Sequence, residues 1–380
     1  MTGRVLGGRV VLPEQVIPDG VVEIAGDTLG FVGDRRDWQG EQPAPVGTIV
    51  PGYVDVHCHG GGGHSVTTGS PEDVRRTAAH HLARGTTTML ASLVSAATDD
   101  ITQAVAAIRQ VVEEGGTVAG SHLEGPYLGR DHCGAHDPSQ LAEPDVATVR
   151  SWLRTGGGSV RMLTIAPELP GAGDVAAVLA EAGVVVAAGH TDADVDTVAE
   201  TLAGPAGLVT HLFNGMAPLH HREPGPVAAA LTALARGTTR VELIADGVHL
   251  ADATAAMVFA LAPPDGVVLV SDAMAAAGMP DGDYRLGPLT VRVQDAIAWT
   301  TGEKRSIAGS TAHLADVVRR CVVHAGIDPV AVVRAASTTP ATLLGLSDRG
   351  RLGTGLRADV LTLDGDWRVT AVLRGGEPVA

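Results

Sequence analysis

Lysine is all but missing from these 380 residues: Lys304 is the only one, so every other cationic contact must come from arginine or histidine. Aromatic residues make up 3% of the chain while Gly alone numbers 49, so the core has to be assembled from small and β-branched side chains. Three cysteines, Cys58, Cys133 and Cys321, are too few and too far apart for a disulfide framework. Positive charge is the scarcer sign. Against 43 Asp plus Glu stand 27 Lys plus Arg, a net −16 at pH 7 with His neutral, and such a field repels nucleic acid and anionic membranes alike. No segment approaches the roughly 18 uninterrupted apolar residues of a membrane span, and the opening stretch has no apolar run of the secretory kind. The expected setting is cytoplasmic, with neither nucleic acid nor membrane as a partner.

What is present suffices for a large core, since apolar residues reach 45% and charged residues only 18%. Short β-branched runs broken by Gly, Pro and Asp occupy residues 1–50, and the same pattern returns near the end of the chain. These ends are expected to pair as one small β-sandwich domain, from 1–50 and 348–380, around a larger domain at 51–347. Within the larger domain, apolar strand candidates alternate with Ala-rich helical stretches, the signature of βαβ units. The strand candidates are Val54–His59, Thr86–Val94, Val118–Glu124, Val160–Ala166, Val184–His190, Leu208–Phe213, Val241–Ala245 and Gly266–Ser271. That number closes a (β/α)₈ barrel of the TIM type, whose C-terminal rim carries the active site. An open doubly wound sheet would not gather the strand ends around one point.

At or just beyond those ends sit His57 and His59, Glu124, His190, His211, Asp246 with His249, and Asp272. In a strand, residues i and i+2 share a face, so His57 and His59 aim together. With Glu124, His190 and His211 they form an oxygen and nitrogen donor set suited to zinc, iron, manganese or cobalt, one or two ions per subunit. Three protein ligands leave room for a water of lowered pKa, and Asp272 is placed to take its proton and return it to a leaving group. Many barrel hydrolases bridge two metals with a carbamylated lysine, but Lys304 lies beyond the last strand, which leaves Glu124 as the candidate bridge. The guanidinium of Arg222 offers a fork for phosphate oxygens.

The stretches His122-Leu123-Glu124-Gly125-Pro126, Ala188-Gly189-His190-Thr191-Asp192, Thr210-His211-Leu212-Phe213-Asn214-Gly215-Met216, Ala245-Asp246-Gly247-Val248-His249 and Val270-Ser271-Asp272-Ala273 resemble, in order, the N-acetylglucosamine-6-phosphate deacetylases of the amidohydrolase superfamily. The resemblance runs from about Pro51 to Asp364. It implies hydrolysis of the 2-acetamido group of N-acetylglucosamine 6-phosphate, with Glu124, His190 and His211 as metal ligands and Asp272 as the catalytic carboxylate. It also implies that His136 approaches the acetamido oxygen and that Asn214, Gly215, Arg222 and His249 bind the sugar phosphate. Arg222 would reach the neighbouring subunit of a homodimer. Alternative readings are a deacetylase for N-acetylgalactosamine 6-phosphate, an N-acyl amino acid deacylase, and an inactive barrel scaffold that would have lost its ligands. His80, His81, His313 and His324 read as surface or packing residues, Cys58 and Cys321 as small core residues, and Asp192 with Asp194 as caps of the following helix.

Overall fold

The computed structural model describes residues 4–204, 206–302 and 305–380, so Lys304 lies outside the described residues. Eight parallel strands follow one another around a barrel: β1 (Tyr53–Asp55), β2 (Thr86–Leu93), β3 (Val118–Glu124), β4 (Val160–Ile165), β5 (Val185–Ala188), β6 (Ala206–Val209), β7 (Arg240–Leu243) and β8 (Val267–Leu269). Each is followed by a helix: α1 (Pro71–Leu82), α2 (Thr98–Glu113), α3 (Val146–Gly156), α4 (Ala172–Glu181), α5 (Val195–Ala203), α6 (Gly225–Ala235), α7 (Asp252–Leu261) and α8 (Leu314–Val323). Short polar residues start several of them. Ser70 accepts a hydrogen bond from the Asp73 N–H, Asp145 from Thr148 and Asp194 from Thr197, which satisfies amides of the first turn. Asp192 does not cap: it is exposed, and its own N–H donates to Glu168, so only Asp194 fills the expected role.

Inside the barrel, Val54, Val56, Leu90, Met162, Ala187, Leu208, Ile244, Val268 and Val270 form a dry plug, closed at one end by Ala341 and Leu344. These aliphatic side chains pack the interior beneath the rim, which leaves solvent and chemistry to the rim itself. Between β1 and β8 the closure is made just past the strands. Cys58 bridges Ala273, His57 O accepts from the Asp272 N–H at 2.9 Å, and one Asp55 oxygen accepts from both His57 N and Ser271 N at 3.3 Å. This seam draws the His57-Cys58-His59 segment against Asp272.

The two ends of the chain share one seven-stranded sheet, in the order Glu377–Pro378, Val369–Arg374, Val360–Leu363, Pro45–Pro51, Arg4–Val11, Val16–Ala25, Thr28–Asp34. Its sandwich character comes from curling: Leu29 N donates to Leu356 O and Ala358 N to Asp27 O, which brings the Thr28–Asp34 edge over the C-terminal strands around Leu6, Val10, Ile24, Ile49 and Val360.

An element outside the expected pattern follows β8. Gly282–Leu286, Leu289–Gln294 and Ile297–Thr300 form a three-stranded antiparallel sheet, with a two-residue turn at Asp295 and Ala296, both at positive φ. Val291 and Val293 point inward with Leu286, Val94 and Met274, while Thr290, Arg292 and Gln294 point to solvent. This period-two alternation marks a sheet with one buried face, and it differs from the continuous apolar runs of the barrel strands.

Candidate active site

Where the strands end, the chain turns sharply to aim side chains into the rim. His190, His211 and Asp272 have φ of 51°, 23° and 48°, a region that non-glycine residues enter rarely and at a cost. These three positions, with Glu124 at the end of β3 and His57 and His59 past β1, converge on one buried cluster.

The Glu124 carboxylate lies at its centre. Oε1 is 3.0 Å from His190 Nε2 and 2.9 Å from His211 Nε2, while Oε2 is 3.2 Å from both His59 Nε2 and His136 Nε2. Asp272 Oδ1 lies 3.2 Å from His59 Nε2 and 3.5 Å from His57 Nε2. The far nitrogens of the rings settle the tautomers. His59 Nδ1 donates to Ser92 O at 2.9 Å and His190 Nδ1 donates to His132 O at 2.8 Å, because a carbonyl can only accept. His57 Nδ1 donates to Glu242 Oε2 at 3.0 Å. Their Nε2 lone pairs therefore face the cluster.

His190 Nε2 and His211 Nε2 are 3.1 Å apart, both against Glu124 Oε1. One nitrogen pair in that cluster cannot satisfy itself while both rings are neutral: His57 Nε2 and His59 Nε2 are also 3.1 Å apart, each with its proton on Nδ1, and two lone pairs that close need a shared cation. The field demands the same. Burial opposes charge on His59, yet hydrogen bonds with Asp272 and Glu124 push it up to about 9, and His57 is likewise drawn well above its ordinary value by Glu124 and Glu242. Burial would raise Glu124 and Asp272, but the imidazoles around them hold both carboxyls below their ordinary values. Three carboxylates in a water-poor pocket attract positive charge, and groups His57, His59, Glu124 and Glu124, His136, His190 are each compact enough to hold a metal ion. The residues present thus fit a divalent metal.

His136 differs from the other rings. The Ser95 N–H donates to its Nδ1 at 3.1 Å, so the ring proton must sit on Nε2, which donates to Glu124 Oε2. Burial pushes this imidazole below its ordinary pKa, which keeps it neutral. A neutral ring with Nε2–H is a hydrogen-bond donor and a poor metal ligand, so tautomer overrules proximity here.

A cavity of about 230 Å³ opens on the cluster, lined by His59, Glu124, His136, His190, His211, His249, Asp272, Asn214 and Gly215, with Leu286 and Ile307 arriving from the region after β8. It shares Gly134, His136, Gly215 and Ser306 with an adjoining space of about 680 Å³ that has Arg130 and Cys133 in its wall. The structure therefore brings together every candidate except Arg222, which is exposed, hydrogen-bonded to His221, and lines neither space. Behind these side chains lie Asp246, expected beside His249 from the sequence, and Glu242, which the sequence pattern did not single out. Asp246 accepts from the Val248 and His249 amides, from His249 Nδ1 and from Ser310 Oγ, at 2.7 to 2.9 Å, and is held down to about 2 against burial chiefly by His249. Glu242 buttresses His57; a lone carboxylate in the apolar run Val241-Glu242-Leu243-Ile244 was the available signal.

Residues 48–379 match the amidohydrolase family. The chain is 35% identical to an N-acetylgalactosamine-6-phosphate deacetylase of Escherichia coli O157:H7, covering 99% of both chains, and 33% identical to an N-acetylglucosamine-6-phosphate deacetylase of Bos taurus, covering 99% of this chain and 90% of that one. Among solved structures it superposes with a TM-score of 0.94, at 40% identity and over 100% of both chains, on a Mycobacterium smegmatis N-acetyl-D-glucosamine-6-phosphate deacetylase. That structure is an Asp-to-Ala mutant in complex with N-acetyl-D-glucosamine-6-phosphate.

Proposed function

Because the chain belongs to the amidohydrolase family, we infer that it is a deacetylase that hydrolyses N-acetylglucosamine 6-phosphate to glucosamine 6-phosphate and acetate. The observation that carries this reading is the Glu124 carboxylate ringed by imidazole Nε2 atoms with Asp272 beside it, in a chain resembling deacetylases of that substrate at up to 40% identity. In this proposal Glu124, His190 and His211 would hold one divalent ion, and His57 and His59 together with Glu124 would hold a second. Zinc suits the donors, and iron, manganese or cobalt are the alternatives. When bound, such an ion polarises the amide carbonyl and acidifies water at neutral pH.

The protein's own groups supply the rest. Asp272 takes a proton from the attacking water and delivers it to the amide nitrogen, without which the amine is too poor a leaving group. His136 Nε2–H donates to the acetamido oxygen as negative charge collects there. His249, held by Asp246, and the Asn214-Gly215 turn orient the sugar. Arg222 of the partner subunit clamps the phosphate, so the working species is a homodimer. Residues 1–50 and 348–380 form the small domain beside the catalytic one at 51–347. A sugar phosphate is too polar to cross a bilayer unaided, which supports a cytoplasmic setting, and no helix among the described residues is long and apolar enough to span a membrane.

Acetate release from a panel tests the reading: N-acetylglucosamine 6-phosphate, its galactosamine epimer, unphosphorylated N-acetylglucosamine and an N-acetylated amino acid. The first should give the highest kcat/KM. Equal rates with and without phosphate would remove the sugar phosphate from the proposal. A preference for the epimer would instead transfer the assignment to the activity named for the Escherichia coli relative.

A further inference from the structure

Glu242 is a carboxylate with no exposure at all, placed in the middle of β7. Its neighbours Val241 and Leu243 pack outward in the layer between strands and helices, so the alternation of the strand turns Glu242 toward the barrel axis. A bare carboxylate there is costly unless something needs it. Its Oε2 accepts from His57 Nδ1 at 3.0 Å and from the His211 backbone N–H at 3.1 Å, while its carbonyl accepts from Leu212 N at 2.9 Å. Oε1 has no hydrogen-bond partner among the described residues.

One carboxylate oxygen thus holds a ring from the segment past β1 and the backbone of a residue past β6. The first bond fixes His57 with its proton on Nδ1 and its Nε2 lone pair toward Glu124 and His59. The second, with the Leu212 bond, pins the chain where His211 adopts its strained φ of 23°. We propose that Glu242 is a positioning residue that joins the two halves of the metal cluster, presenting His57 in its ligating tautomer while fixing the turn that carries His211. This rests on the reading of the cluster as a metal centre. Carboxylates behind a ligating histidine orient the ring and raise its basicity, and their loss typically weakens metal binding about 10- to 100-fold.

The test measures metal affinity by chelator competition, with divalent zinc as the probe, on wild type, Glu242→Gln, His57→Asn and the double variant. Thermal unfolding is followed alongside. The expected result is that Glu242→Gln stays folded, retains the ion at Glu124, His190 and His211 because the amide oxygen still accepts from the His211 N–H, and, with the negative charge behind the His57 ring gone, binds the His57 ion about 10- to 100-fold more weakly. Because Glu242 is proposed to act on that ion through the His57 ring, Glu242→Gln should weaken it no further once His57 is Asn. Wild-type affinity in Glu242→Gln overturns the proposal, and so do additive losses in the double variant. If Glu242→Gln does not accumulate, Glu242→Asp, which keeps the charge and withdraws the oxygens by one methylene, is scored by the same criteria. Absence of any bound ion in wild type is a separate outcome: it removes the metal reading itself, and this inference with it.

Discussion

The residue scale is where chemistry and backbone strain meet. Asp272 lies at φ 48°, a conformation that Asp and Asn tolerate better than most residues, so Asp272→Asn removes the charge without adding strain. Its amide cannot accept the proton of an attacking water. Turnover should fall by about 10² to 10⁴, with the metal content unchanged, because general acid–base groups contribute on that scale. Steady-state rates paired with elemental analysis decide it, and a rate within a fewfold of wild type would take the catalytic role away from Asp272. His136 invites a parallel argument from its tautomer. His136→Phe deletes the Nε2–H and its donation to Glu124 Oε2, so kcat should drop while bound metal is retained. Loss of metal in this variant would mean that the ring ligates after all.

At the scale of elements, the barrel could be read from the sequence because the strands are apolar runs, most of them ending in a reactive side chain, a pattern that survives without knowledge of pairing. The strand limits shifted, as for β5, which leaves the ladder at Ala188, two residues before His190 turns inward. The role of Glu242 and the sheet after β8 were not legible. The first depends on a partner 185 residues away, and the second is an insertion whose alternation only acquires meaning beside the rim. Helix α1 holds a further consequence. His81 is fully buried, with Nε2 against Gly60 O at 2.9 Å and Cys58 Sγ at 3.3 Å, and burial pushes it down to about 3. Below its unfolded value near 6.5, the unfolded chain takes up a proton that the folded chain refuses. This contribution is therefore fully present above that value and is lost as pH falls toward 3, by up to about 1.4 kcal/mol per pH unit. Denaturant unfolding of wild type and His81→Gln at pH 7 and pH 5 isolates it. The variant should show the shallower loss, and parallel slopes would assign the acid sensitivity elsewhere.

For the whole molecule, the decisive quantity is where positive charge can come from. The chain carries −16, and among the described residues no arginine or lysine lines the cavity over the metal cluster. A phosphate dianion entering such a field needs a cation brought to it. Arg222 is exposed on the loop that follows the Asn214-Gly215 turn, and Leu219 on the same loop is 56% exposed. If Arg222 acts across a two-fold axis, its loss is felt in the partner's cavity and not in its own. Arg222→Ala alone should weaken use of the 6-phosphate substrate about 10- to 100-fold, as expected for a charge-assisted contact, and leave the slow reaction of unphosphorylated N-acetylglucosamine unchanged. Co-expression with Asp272→Asn separates the two geometries. A mixed dimer would hold one site with an intact Asp272 and an Arg222 donated by the other chain, so random pairing should restore about a quarter of wild-type activity per subunit. Arg222 serving its own subunit predicts no recovery, because neither chain of the mixed dimer would then carry both residues. Activity of the unseparated mixture, and about half of wild-type activity per subunit in mixed dimers isolated by differing affinity tags, distinguishes an active site completed across the interface from one that each subunit completes alone.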